Sequence, residues 1–339
     1  MRILLTGASG FVGTALLPRL LEQEHEVRAL ARDRARVERT LATDGEVSLK
    51  DIELTIGDTL SGAGVLGAMR GIDVAYYLIH SMEPAAGSPF PARERVSAET
   101  FAQAARAAGV GRIVYLGGPL PVIADSADAT PHTAIAPQAL ASSPPLRRSG
   151  VSTHLSSRYA VERILLEAVP DSVALRCSIV IGARSRSFRF LVRLVERLPV
   201  LTLPAWRHFR TQPIDERDVV EMLAACATNG AVAGRSLDIG GPDVLTYGEV
   251  VRRIADLMML ARPSIGLGVT VTPIAARVAA ALTDEQPELV LPLMEGLTSD
   301  LLRTDEDAID LLGVELHSFD SAVEHALYEW EKVEELAAR

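Results

Sequence analysis

The sequence predicts an α/β protein built on a doubly wound parallel sheet, with a smaller C-terminal lobe. Three features carry that prediction. Short apolar runs, each the length of a buried strand, recur between residues 1 and 177. Each is followed by a stretch with helical periodicity. A glycine-rich turn joins the first run to the first helical stretch. Strands covered on both faces read as continuous apolar runs, and their alternation with helices is the pattern of βαβ units.

Residues 1–6 are the first strand. Val12, Leu16, Leu17, Leu20 and Leu21 follow at helical spacing, with Pro18 expected to kink that helix. Residues 26–31 are the second strand, 36–41 a short helix, and 52–56 the third strand, ending at Gly57-Asp58. Residues 64–69 are a brief helix and 73–79 the fourth strand. A helix over 94–108 stops at Gly109, where glycine ends helices readily. Residues 112–116, 151–169 and 173–177 complete the series as strand, long helix and strand. The stretch 119–150 is rich in Ala, Pro and Ser and has little pattern. A loop of that length inside a domain is functional or disordered, and a lid over the cleft is the expectation. The division expected is residues 1–182 as the first domain and 183–339 mainly as a substrate-binding lobe, with some segments returning to the core. Asp215 and Asp218 are expected to cap a helix near Val219, and 238–243 to form a strand end and turn of the lobe.

Composition narrows the function. The chain of 339 residues carries a formal charge of −10, which repels phosphate backbones and argues against nucleic-acid binding. Two cysteines, Cys177 and Cys226, are too few for a disulfide framework and are read as small buried hydrophobes. The N-terminus does not read as a signal peptide. The longest apolar stretch, 265–282, is broken by Pro273 and Arg277, so no integral membrane span is expected. It reads as a buried helix or as a surface for membrane or greasy substrate. The expected location is the cytoplasm. No metal-ligand spacing and no Gly-x-Ser-x-Gly nucleophile is present.

The turn Gly7-Ala8-Ser9-Gly10-Phe11-Val12-Gly13 spaces its glycines as G-x-x-G-x-x-G between a strand and a helix. In a Rossmann domain the first glycine makes the tight turn, the second admits a pyrophosphate, and the third lets the helix pack on the sheet. The helix start then offers N–H groups and a partial positive charge to the phosphates. Gly7, Ser9, Gly10, Phe11 and Val12 are therefore expected around a dinucleotide. After the second strand stands Arg32-Asp33-Arg34. Arginines suit a ribose 2′-phosphate, so Arg32 and then Arg34 point to NADP(H). Asp33 keeps NAD(H) open, and a solvated basic helix start is the plain alternative. Asp58, with Thr59, is expected at the adenine.

TGASGFVG, VRALARD, the Gly-Asp after strand three, DVAYYLIHSM (73–82), RIVYLGG (112–118), HLSSR…VE (154–162), SIVIGA (178–183), TQPI…DV (211–219) and DIGGPDVLTYGE (238–249) resemble the extended and atypical short-chain dehydrogenase/reductases, and among them the NmrA-like, NAD(P)H-binding branch. The resemblance covers roughly residues 1–260. It implies cofactor contacts at Leu78, Ile79, His80, Leu116, Gly117, Gly118, Ser178, Ile179 and Val180, with Ser81 toward the substrate. It also implies a Tyr-x-x-x-Lys pair located by a glutamate four residues later. Here Glu162 points back to Arg158, and the tyrosine position is His154. The serine position falls in Leu116-Gly117-Gly118, which has no hydroxyl. All three family catalytic groups are replaced. Histidine titrates near neutrality and Arg158 is permanently charged, so His154 is the candidate acid/base and Arg158 a group for ribose or substrate. A structural or ribose-contacting role for His154 stays open. Arg184 and Arg186 are near enough in sequence to approach a phosphate. Trp206 and Gln212, in a mixed aromatic and polar stretch, are expected in a substrate pocket wall or a surface loop.

The function expected is an NADP(H)-dependent oxidoreductase acting on a small, largely apolar carbonyl or activated alkene. A non-catalytic NADP(H) sensor or structural protein is the alternative, and an epimerase or isomerase using transient hydride transfer fits the same site. The partner expected is a small molecule, and the chain is expected to be a monomer or weak homodimer.

Overall fold

The computed structural model describes residues 1–79, 90–119, 153–266, 297, 299–304 and 307–336. Its first half alternates strand and helix. β1 (Arg2–Thr6) leads to α1 (Phe11–Glu22), β2 (Glu26–Ala31) to α2 (Arg34–Asp44), and β3 (Glu53–Ile56) to α3 (Val65–Met69). β4 (Val74–Tyr77) leads to α4 (Phe90–Ala108), β5 (Arg112–Gly117) to α5 (Thr153–Ala168), and β6 (Val173–Arg176) follows. After β7 (Val180–Ile181) come α6 (Arg186–Arg197), β8 (Leu201–Leu203), a 3-10 turn (Ala205–His208), β9 (Arg210–Thr211) and β10 (Ile214–Asp215). Then α7 (Glu216–Ala225), β11 (Ser236–Asp238), β12 (Leu245–Thr246), α8 (Tyr247–Leu257) and β13 (Ser264–Gly266) are followed by α9 (Ala308–Leu312) and α10 (Phe319–Glu331).

Seven strands form one parallel sheet in the order β11-β6-β5-β4-β1-β2-β3. The order reverses between β1 and β4, which is the switch point where such sheets bind ligands, outside the carboxyl ends of the strands. Successive residues of a strand face opposite layers. Ile3 and Leu5 pack in one core with α1, α2 and α7, while Leu4 packs in another with α3, α4 and α5. Tyr76 belongs to the first core, where its hydroxyl donates to the Leu223 carbonyl at 2.8 Å, and Tyr77 belongs to the second.

A third core lies in the C-terminal half. Phe188, Val192 and Val195 of α6, Val250 and Ile254 of α8, and Phe319, Val323 and Trp330 of α10 make it up. The sequence expected the segment near Asp238 to structure this lobe. Instead β11 pairs with β6 as the seventh strand of the main sheet. Three residues carry too little periodicity to reveal their sheet. The helix read at 36–41 begins earlier, at Arg34, because the Asp33 carboxylate accepts from Ala35 and Arg36 N–H and caps it. Asp215 caps α7 as expected, accepting from Arg217 N at 2.8 Å. Asp218 does not cap: its carboxylate accepts from His317 N at 2.9 Å and meets His317 Nδ1 at 2.6 Å. No helix among the described residues is long and apolar enough to cross a membrane.

Candidate functional site

The site begins at the carboxyl end of β1. Thr6 Oγ1 donates to the Tyr76 carbonyl at 2.8 Å and accepts from Leu78 N at 3.1 Å, tying the end of β1 to the end of β4. Gly7 follows with φ +73°, and a Cβ there would lie 2.8 Å from the Leu78 carbonyl oxygen. Both the backbone angle and the crowding require glycine. Gly10 N donates to the Gly7 carbonyl at 2.8 Å, closing the turn. A Cβ on Gly13 would lie 2.2 Å from that same carbonyl oxygen, so the helix passes against the turn with no room for a side chain. Thr14 Oγ1 donates to the Gly10 carbonyl at 2.7 Å and fixes the first turn of α1. No side chain caps α1 at Gly10. Its first N–H groups lack the intrahelical acceptors that interior residues have, so the turn is a concave anion cradle.

Arg32, Asp33 and Arg34 are exposed beyond the end of β2. Asp33 is engaged as the α2 cap, and Arg34 makes a long exposed pair with Glu38 at 3.5 Å. After β3, Asp58 accepts from Leu60 N and Ser61 N at 3.1 and 3.3 Å, and Thr59 is buried. Leu78 and Leu116 are buried near the carboxyl ends of β4 and β5. His80 and Ser81, and the stretch 120–150, lie outside the described residues. So does the side chain of His154, whose backbone belongs to the first turn of α5.

Arg158 is almost fully buried. Its guanidinium donates to the Leu116 carbonyl at 2.6 Å, stands 3.7 Å from Glu94 and lies 5.2 Å from the Tyr115 ring centre. Ser157 Oγ donates to Glu94 at 2.7 Å. The structure therefore brings together two predicted cofactor residues, Arg158 and Leu116, through a hydrogen bond. It adds Glu94 from α4, which nothing in the sequence signals. One turn along α5, Glu162 holds Arg176 through two bonds of 2.8 and 2.5 Å and accepts from Ser236 Oγ at 2.7 Å. Burial pushes the nearby Cys177 thiol up to about 12, so it stays protonated.

Beyond β6, Ser178 Oγ donates to the Gln212 carbonyl at 2.9 Å. β7 pairs in parallel with β10, setting Val180 beside Ile214. Glu216 follows β10. Burial first, then the neighbouring Asp215 and Glu329 charges, push its carboxyl up to about 7. Trp206 is buried against Tyr247 in an edge-on pair, and its indole N–H has no hydrogen-bond partner among the described residues. The Gln212 amide donates to the Gly241 carbonyl and accepts from Arg303 N. A cavity of about 180 Å³ in the C-terminal half is lined instead by the neighbours Arg207 and His208, with Leu203, Thr246, Gly248, Arg252, Ser264 and Gly266.

Residues 7–140 match the NAD(P)H-binding family. Among curated proteins, the chain is 28% identical over 111 residues to NADH dehydrogenase (ubiquinone) 1 alpha subcomplex subunit 9, mitochondrial, of Arabidopsis thaliana, covering 32% of this chain and 28% of that protein. It is 28% identical over 122 residues to a 2-alkyl-3-oxoalkanoate reductase of Stenotrophomonas maltophilia, covering 35% and 34% of the two. The matches thus span about a third or less of these relatives. Among solved structures, a nucleoside-diphosphate-sugar epimerase of Pseudomonas aeruginosa superposes with a TM-score of 0.70 at 17% identity over 98% of this chain and 97% of that one. The UDP-glucuronic acid 4-epimerase of Bacillus cereus in complex with NAD gives 0.69 at 16% identity over 98% and 99%. At these identities the superpositions establish a shared fold.

Proposed function

We propose that this chain, an atypical short-chain dehydrogenase/reductase-like protein with an NAD(P)H-binding domain, is an oxidoreductase that prefers NADP(H). Its proposed substrate is a small, largely apolar carbonyl or activated alkene. The observation that carries the cofactor preference is the engagement of Asp33. The one acid at the end of β2 holds the N–H groups of α2, leaving Arg32 to meet a ribose 2′-phosphate. The Gly7–Gly13 turn fits a pyrophosphate, because its glycines let the uncapped start of α1 close on the turn and offer its backbone N–H groups. When bound, the reduced nicotinamide supplies a hydride. His154 is the proposed proton donor, while Arg158 fixes the Leu116 carbonyl and Glu94 in the wall of the cleft. The carbonyl-reducing relative supports this substrate class. The residues after 182 are proposed to close over the substrate.

The test is a titration with NADPH and with NADH, read by nicotinamide fluorescence. Arg32→Ala should weaken NADPH at least about tenfold, the value of one lost charge-assisted contact, and leave NADH nearly unchanged. Equal loss for both nucleotides would refute the role of Arg32. A second reading, a non-catalytic dinucleotide-binding protein, is favoured by the capture of Arg158 in a buried network. Bound NADPH that no carbonyl or alkene in a broad panel oxidises would establish it.

A further inference from the structure

We infer that Glu216 couples proton uptake to dinucleotide binding, its carboxyl filling the space between the phosphate-binding turn and the end of β7. Asp215 pairs with Ile181, so Glu216 stands next to Gly182 across the two strands. A Cβ on Gly182 would lie 1.9 Å from Glu216 Oε2 and 2.7 Å from Phe11 Cζ. The carboxyl and the edge of the Phe11 ring thus meet over a glycine that leaves them room. Phe11 is the first residue of α1, so the carboxyl is one side chain away from the uncapped helix start that receives the pyrophosphate. Phe11 follows the carboxyl end of β1, the side of the main sheet on which ligands sit, and its ring reaches the separate β7–β10 pair at Gly182 and Glu216.

Burial and two neighbouring acids oppose the charge on Glu216, and two arginines favour it. Asp215 is adjacent, with its carboxylate bound by the Arg217 guanidinium at 2.6 Å. Glu329 faces it from α10, and Arg184 from the loop after β7 is the other cation acting on it. His325, also on α10, is influenced by the same Asp215, Glu329 and Arg217 charges, and Lys332 pairs with Glu329 at 2.6 Å. Burial is the largest influence, and the carboxyl titrates near 7. A bound pyrophosphate adds negative charge, which disfavours the carboxylate further. The sign follows. Below about 7 the carboxyl is already neutral and binding is strongest. As pH rises through that value, binding must protonate it or bear the repulsion. Affinity falls by about tenfold for each unit that separates the free and bound values.

The inference rests on the reading of the turn as a dinucleotide site. The experiment measures NADPH affinity of wild type and Glu216→Gln from about pH 6 to about 8.5, bracketing the carboxyl's titration. The nucleotide's own 2′-phosphate titrates identically against both proteins, so their difference reports Glu216. Wild type should lose about tenfold more affinity than Glu216→Gln across that range. Calorimetry on wild type with NADH, which has no 2′-phosphate, in two buffers of different ionisation enthalpy should show net proton uptake near neutral pH. A 2′-phosphate held by arginine releases protons and would mask the uptake with NADPH, and the NADH readout does not need the variant to fold. Superimposable pH profiles, or no uptake by wild type, overturn the proposal. If NADPH binds neither protein at any pH, the dinucleotide reading falls and the proposal falls with it.

Discussion

Replacing Gly13 by alanine tests whether the turn is a phosphate cradle or only a tight corner. The new Cβ would sit 2.2 Å from the Gly7 carbonyl oxygen and 2.7 Å from its carbon. Both are backbone atoms, so no rotamer change relieves the contact. Either α1 retreats by about 1 Å or the Gly7 peptide rotates, since carbon–oxygen contacts below about 3 Å are strongly repulsive. Rotation disturbs the 2.8 Å bond from Gly10 N that closes the turn, and retreat moves the helix-start N–H groups away from a bound phosphate. Overpacking costs about 1–3 kcal/mol of stability, partly offset by about 1 kcal/mol from replacing a helical glycine. Folding should therefore weaken by no more than about 2 kcal/mol. A misplaced charge-assisted hydrogen bond costs about 1.5–3 kcal/mol in binding, or roughly tenfold to a hundredfold in NADPH affinity. Gly67, inside α3, is the control: nothing lies within 4 Å of its would-be Cβ, so alanine there should leave binding unchanged. Fluorescence titration beside thermal melts separates the two effects. NADPH affinity within threefold of wild type in a folded Gly13→Ala protein would refute the cradle.

The remaining predictions concern buried charge. Glu162→Ala strands Arg176, whose side chain is about nine-tenths buried and keeps only Asp238 at 3.5 Å. Loss of a buried partner costs about 3–5 kcal/mol, here at the lower end because Asp238 remains. Adding Arg176→Met should recover most of that loss in urea denaturation. If the single variant is as stable as wild type, the pair is not the clamp that joins α5 to β6. Glu216 gives a stability prediction of its own. The fold raises its carboxyl to about 7, so the folded state binds the extra proton. The stability this confers is complete below the unfolded carboxyl value and is lost as pH rises through about 7. Glu216→Gln lacks that loss, so its stability relative to wild type should rise by about 2 kcal/mol between about pH 5 and 8. A constant difference in chemical denaturation at the two pH values would refute the assignment.

The strands of the main sheet were legible because parallel strands buried on both faces must be apolar, and β2 runs over the residues its pattern indicates. The turn was legible because three glycines at fixed spacing answer a steric demand that no other residue meets. The boundary of α2 was not, because the helix pattern hides the cap: Asp33 reads equally as a ribose ligand. β11 was misplaced because a three-residue strand has no period, and its partner β6 lies far earlier in the chain, Ser236 pairing with Ala174. Glu94 and Glu216 could not be found from sequence. Each matters through a neighbour distant in the chain, Arg158 for one and Gly182 for the other.

The helix α5 settles how its replaced motif should be weighed. Residues 158 and 162 are spaced i, i+4 and share one face of the helix. Both are satisfied by the sheet: Arg158 by the Leu116 carbonyl of β5, Glu162 by Arg176 of β6. An arginine so held cannot swing to a substrate without giving up its bond to the Leu116 carbonyl and the Glu94 charge, a cost of the order of 3 kcal/mol. The helix follows β5 and precedes β6 in a parallel crossover, so it runs opposite to the strands and starts on their carboxyl side. Position 154 therefore falls four residues, about 6 Å along the axis, nearer that side than Arg158. Position 154 belongs to the first turn of the helix, while Arg158 is built into its buried contact with β5. The chemistry proposed for this protein accordingly depends on His154 and on the bound cofactor, with Arg158 acting through the Leu116 carbonyl it holds.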